Sequence, residues 1–208
     1  MRLEDLQSRL SGIPHTGPEK GAVLYRTVLE RRCANCLELG FAHGVGTCYI
    51  AGALDELGRG SVVGVDLQSA ERRQPRADEL VAALGLQRWA ELVFSASSYT
   101  WYLMERLEKR DRIFDFCFLD GSHHWEVDGL AVLLVERLLA SGGMIVLDDL
   151  DWTYGASPTL RDTPRVRSMP ERERTTPQVR KIFELLVRGN PTFVTVYEQN
   201  GWGFAVKA

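Results

Sequence analysis

Cys36-Leu37-Glu38-Leu39-Gly40-Phe41-Ala42-His43-Gly44-Val45-Gly46 reads as an apolar strand carrying an acid near its end, then a glycine-bearing turn. A helix follows, read from Thr47 to Leu57. Gly40 suits a turn where a ligand or a second backbone approaches closely. The helix behind it aims free N–H groups into the crevice. The spacing is E-x-G-x-x-x-G, not G-x-G-x-x-G. A carboxylate at that turn argues against a dinucleotide pyrophosphate and suits a cationic ligand, such as the amine of an amino acid.

Outward from this unit, strands and helices alternate. Strands are expected over Cys33–Leu39, Ser61–Asp66, Glu91–Ser95, Phe114–Asp120 and Met144–Asp148, each nearly continuous in apolar residues. Helices are expected over Ala77–Leu84, Tyr99–Lys109 and Trp125–Ala140, the last closed by Gly142 and Gly143. Two helical pieces fill residues 1–32, broken by Gly12, Pro14 and Gly17. Near the end, Thr176-Pro177 opens a last helix, and Thr192–Glu198 and Trp202–Val206 form strands joined by Asn200-Gly201, a tight hairpin turn. The pattern predicts an α/β fold: a doubly wound, mostly parallel, seven-stranded sheet with a C-terminal antiparallel hairpin, in one domain spanning 1–208. Residues 150–175 lack periodicity and carry three prolines and five arginines. They read as a solvated loop or as a mobile lid whose arginines meet an anionic substrate group.

Composition narrows the function. Apolar residues make up 45 % and charged residues 25 % of 208 residues, with a net charge of −3. Bulk charge therefore favours no nucleic-acid partner. No apolar run of about 18 residues predicts a membrane span, and the acidic start is unlike a signal peptide, so a cytoplasmic protein is expected. Cys33 and Cys36 form a lone C-x-x-C with no second half-site, which favours plain apolar packing over zinc or redox chemistry.

In such a sheet, ligands bind beyond the carboxyl ends of the strands. The cofactor candidates are Glu38, Gly40, Gly44 and Thr47 around the first turn, Asp66 and Leu67 at the second strand's end, and Ala96 and Ser97 after the third. Asp66 is placed to accept both ribose hydroxyls. The small residues leave room for an adenine ring. S-adenosylmethionine carries an amine and a sulfonium, both suited to an acidic turn. Over nearly its full length the chain resembles a class I S-adenosylmethionine-dependent methyltransferase. That resemblance implies that Glu38 and Gly40 lie near the methionine part of the donor and that Asp66 holds its ribose.

A second constellation is Asp120-Gly121-Ser122-His123-His124-Trp125 with Asp148-Asp149. Neighbouring strands would bring Asp120, Asp148 and Asp149 to one edge, where three carboxylates repel unless a cation joins them. Oxygen ligands favour Mg²⁺ or Mn²⁺ over zinc. Adjacent strand residues point to opposite faces, so Asp148 and Asp149 share a metal only if the strand has ended. His123 is the candidate base, preferred to His124 by spacing. The D-G-x-H and L-x-x-G-G-x-x-x-x-D-D segments are similar to metal-dependent O-methyltransferases of natural-product pathways, of macrolide-sugar and catechol type. The resemblance implies a magnesium-assisted transfer to a hydroxyl of a small molecule, with Asp120, Asp148 and Asp149 on the metal and His123 as base. A homo-oligomer is compatible with it. The rivals are a metal-free N- or O-methyltransferase and a repurposed, non-catalytic donor-binding domain.

Overall fold

The computed structural model describes residues 1–110 and 113–208. Helices α1 (Leu3–Leu10) and α2 (Pro18–Glu30) precede β1 (Asn35–Leu39), α3 (Val45–Leu57), β2 (Ser61–Leu67), α4 (Ala77–Ala83) and β3 (Ala90–Ser95). There follow α5 (Tyr99–Lys109), β4 (Phe114–Leu119), α6 (Trp125–Leu138) and β5 (Leu139–Leu147). Short helices α7 (Pro164–Arg167) and α8 (Glu171–Thr175) lead to α9 (Gln178–Ile182), then to β6 (Phe193–Gln199) and β7 (Trp202–Lys207).

The strands lie in the order β3-β2-β1-β4-β5-β7-β6. The first five pair in parallel, and β7 runs antiparallel to both β5 and β6. This is the doubly wound sheet with a terminal hairpin that the alternation predicts. Asn200 and Gly201 both take positive φ (52° and 77°), as a tight primed turn requires. Strand order reverses between β1 and β4, so the crevice for a ligand opens beyond those two strands.

Side chains alternate across the sheet and divide the core into two layers. Cys36, Phe116 and Phe118 pack with α1, α2, α3 and α4. Leu37, Leu39, Cys117 and Leu119 pack with α5, α6 and α9. Phe116 and Phe118 are fully buried, each worth roughly 1.5–3 kcal/mol of transfer from water. All four cysteines are buried and unpaired. Among the described residues no helix is long and apolar enough to cross a membrane.

The elements depart from expectation where backbone geometry overrides pattern. β1 starts at Asn35 because Arg32 takes φ 53° and Cys33 N–H still donates to Val28 O at 3.0 Å, closing the end of α2. α6 stops at Leu138, and Leu139 already pairs with Phe114 across the sheet. Gly142 (φ 75°) then lets β5 slip its register before Met144 pairs with Phe116. The 150–175 segment, unassigned from sequence, carries α7 and α8 and buries Leu150, Tyr154 and Val166. Past α9 the chain continues as a π-helical turn, Phe183–Val187.

Candidate active site

Gly40 is the pivot of the crevice. Its N–H donates to Val65 O (2.8 Å), and its φ is +87°. A Cβ there would stand 2.1 Å from Asp120 O. The turns that leave β1 and β4 therefore touch backbone to backbone, and only glycine fits. Gly44 (φ +82°) sets the start of α3, where an added Cβ would lie 2.9 Å from the Cβ of Ala77 in α4.

Asp66 grips this turn. Its Oδ2 accepts N–H bonds from Phe41 (3.0 Å) and Ala42 (2.7 Å), and its Oδ1 accepts one from Leu67 (2.6 Å). Glu38 lies below the turn, 1 % exposed, accepting a bond from the Thr47 hydroxyl under the first turn of α3. Burial pushes its carboxyl up to about 8, with Thr47 offsetting part of the shift and Asp120 and Asp66 adding to it. Leu67, the last residue of β2, and Ala96 and Ser97, just past the end of β3, are exposed. Ser98 caps α5 by accepting Thr100 N–H at 3.1 Å.

The acid end forms where β4 and β5 stop. Asp120 N–H donates to Leu39 O and Asp148 N–H to Leu119 O. β5 ends at Leu147 and Asp149 takes φ 54°, so the chain is already turning and the two aspartates part. Donor atoms of Asp120, His123 and Asp149 lie within 4.8 Å of one another, the one group of this kind among the described residues. His123 Nε2 is 3.2 Å from Asp149 Oδ2 and 3.8 Å from Asp120 Oδ1. Asp148, expected as a third ligand, stands outside that group. It is 4 % exposed, and its Oδ1 accepts from Lys20 Nζ (2.5 Å), from the Asp149 N–H (2.5 Å) and from the Trp202 indole. Lys20 Nζ also donates to Asp149 Oδ1 at 3.0 Å.

These charges set each other. Burial works to lower the His123 imidazole, but its bond to Asp149 and the nearby Asp120 push it up to about 9. Burial raises Asp120, and Asp148 adds to this. Asp149 goes the other way: burial opposes ionisation, yet His123 and Lys20 hold its carboxyl well below the usual range.

A buried network fixes the turn that carries His123. Asp128 (1 % exposed) accepts from the Tyr99 hydroxyl and from Ser122 Oγ (3.0 Å). Tyr154 OH donates to Ser122 O at 2.6 Å. Rather than a side chain of its own, α6 uses Gln178 of α9, whose Oε1 accepts Trp125 N–H at 2.7 Å. The Trp152 ring lies 4.7 Å from that of His123, and Tyr154 meets Trp152 edge-on at 4.8 Å. Lys20, Trp202, Tyr99 and Gln178 were not singled out in the sequence. Each comes from a distant element, and a lysine in the first turn of a helix is the faintest of signals.

A family model described as a methyltransferase domain matches residues 37–150. The chain belongs to this methyltransferase family. Its matched segment runs from β1 through Leu150 and contains Glu38, Gly40, Asp66, Asp120, His123, Asp148 and Asp149. No curated protein matches in sequence. Among solved structures, the O-methyltransferase of Bacillus cereus in complex with SAH is similar at 19 % identity and a TM-score of 0.69, covering 99 % of this chain and 90 % of that one. TomG of Streptomyces achromogenes, an O-methyltransferase of tomaymycin synthesis in complex with SAM, gives 18 % and 0.65, covering 99 % and 88 %. SAH-bound methyltransferase PaMTH1 of Podospora anserina gives 14 % and 0.69, covering 99 % and 86 %. At these identities the likeness speaks for the fold, and the methyltransferase shares it along its length.

Proposed function

We propose that the chain is an S-adenosylmethionine-dependent O-methyltransferase that methylates a hydroxyl of a small molecule with the help of a divalent cation. One observation carries this reading: an oxygen- and imidazole-bearing cluster, Asp120, His123 and Asp149, sits one backbone contact away from the glycine turn of the cofactor crevice. The solved neighbours that hold SAM or SAH support the donor. S-adenosylmethionine supplies an electrophilic methyl on a sulfonium. The exposed strand ends at Leu67, Ala96 and Ser97 would receive its nucleoside half, with Asp66 holding the turn against it. Glu38 braces that turn from beneath.

The carboxylate oxygens of Asp120 and Asp149 fit Mg²⁺ or Mn²⁺, which leaves the His123 imidazole beside them free for proton transfer. A divalent ion held by Asp120 and Asp149 would lower the pKa of an acceptor hydroxyl and orient it. His123 takes the hydroxyl's proton. While both carboxylates face it unneutralised it keeps its own proton, so its basicity and the charge on the cluster are coupled. Trp152 and Tyr154 wall the acceptor's side of the site. We assign segment 150–175, which carries both rings, to that wall. Positioning supplies much of the rate in such a two-substrate transfer.

A metal-free transfer is the second reading, favoured by Lys20, whose ammonium already joins Asp148 and Asp149. The deciding experiment is calorimetric titration of S-adenosylmethionine, followed by methyl transfer to a catechol with Mg²⁺ and with EDTA. Transfer that needs the metal supports the first reading, and equal transfer in EDTA supports the second. Failure to bind S-adenosylmethionine removes both.

A further inference from the structure

We propose that Lys20 is the acid end's resident counter-cation and competes with a divalent ion for Asp149; this rests on the cation-assisted reading above. Lys20 occupies the third position of α2, near the positive end of the helix dipole, where a cation is disfavoured. What holds it there is remote in sequence: Asp148 Oδ1 at 2.5 Å and Asp149 Oδ1 at 3.0 Å. The ammonium also lies 5.6 Å from the centre of the Trp202 ring, and the Trp202 indole donates to the same oxygen of Asp148.

The consequence is a divided carboxylate. Asp149 gives Oδ1 to Lys20 and Oδ2 to His123. A divalent ion among Asp120, His123 and Asp149 must share Asp149 with an ammonium of like sign, and the two repel. Lys20 has somewhere to go. A cavity of about 240 Å³ adjoins it, lined also by Glu19, Val23, Gln199, Asn200, Trp202 and Phe204. Without the ion, Lys20 closes the aspartate pair; with the ion, it gives up Asp149, and Asp148 or the cavity keeps it. Asp148 thus serves the protein's own cation, which accounts for its place outside the donor cluster.

The test is Mn²⁺ titration, followed by calorimetry and by the electron-spin signal of free Mn²⁺, into the full chain and its Lys20→Met, Lys20→Gln and Lys20→Arg variants. Circular dichroism and S-adenosylmethionine binding confirm folding, and Lys20→Gln keeps a donor on Asp148 should the methionine variant fail to fold. The expected result is Mn²⁺ binding about tenfold tighter in the uncharged variants and unchanged in Lys20→Arg. Equal or weaker binding in the uncharged variants overturns the competition and leaves the cation-assisted reading standing. No Mn²⁺ binding by any form, with S-adenosylmethionine bound normally, overturns both.

Discussion

His123 and Asp149 face each other across 3.2 Å, and both hold left-handed backbones, φ 57° and 54°. Neither is glycine, so each position costs about 1–2 kcal/mol relative to an ordinary conformation. The surrounding bonds over-determine both: Asp128 and Tyr154 pin the turn before His123, while Lys20 and Asp148 hold Asp149. Strain kept in two facing residues points to geometry that matters for the chemistry.

His123→Ala should therefore lower turnover by about 10²–10⁴-fold, the usual contribution of a positioned acid or base. S-adenosylmethionine affinity should stay within a factor of two or so. Steady-state rates and calorimetry check this together. A normal rate would reduce His123 to a turn residue.

Asp149→Asn removes the charge that both Lys20 and His123 lean on. Mn²⁺ affinity should fall about tenfold or more. The His123 resonances in a proton NMR titration should shift to lower pH, since a major partner that raises its pKa is gone. An unmoved His123 titration would contradict the coupling described for this pair.

Asp66→Ala frees Phe41 N–H and Ala42 N–H and should loosen the glycine turn. The expected outcome is S-adenosylmethionine binding weakened by about 1–3 kcal/mol, measured by calorimetry, with the fold retained by circular dichroism. Unchanged affinity would take Asp66 out of the binding site.

Stability should fall as pH rises through the neutral range. Glu38 is raised from 4.5 to about 8, so the folded chain keeps a proton there that the unfolded chain releases. His123, raised from 6.5 to about 9, behaves alike: its contribution is complete below 6.5 and fades as pH passes about 9. Both make stability decline between about pH 5 and 9. Glu38→Gln should flatten that decline, with a melting temperature at pH 8 above the parent's by about 2–4 °C for each kcal/mol recovered. Parallel melting curves across pH for parent and variant would show Glu38 to be ionised in the fold.

Gly40→Ala should not fold normally. An alanine at φ +87° costs about 1–2 kcal/mol in backbone strain alone, and its Cβ would also stand 2.1 Å from Asp120 O. Loss of the cooperative melt is expected, and a stable, active variant would mean that the two turns can separate.

The sheet was legible because a strand covered on both faces must be largely apolar, and β1, β2 and β4 are broken only by single polar residues at or near their ends, apart from Glu38. Asn200-Gly201 announced the hairpin because few other pairs tolerate two positive φ values. The slip of β5 around Gly142 was not legible: a glycine pair after a helix reads as a cap, and only the partner strand shows that Leu139 has begun to pair. At the candidate site, the proximity of Asp120, His123 and Asp149 was legible because topology alone brings the ends of neighbouring strands together. Lys20 and Trp202 were not, since what makes them part of the site is packing between segments far apart in sequence. The direction of Asp148 escaped for a related reason, because the sequence states that a chain turns but not which neighbour its side chain meets.

Asp148 is held from one side by α2 and from the other by β7, both outside the segment 37–150 that marks the family. That segment is therefore not a portable module. Grafted alone onto another scaffold, it would carry a nearly buried carboxylate stripped of its ammonium and its indole, and would have to open to water or take up a foreign cation before it could close.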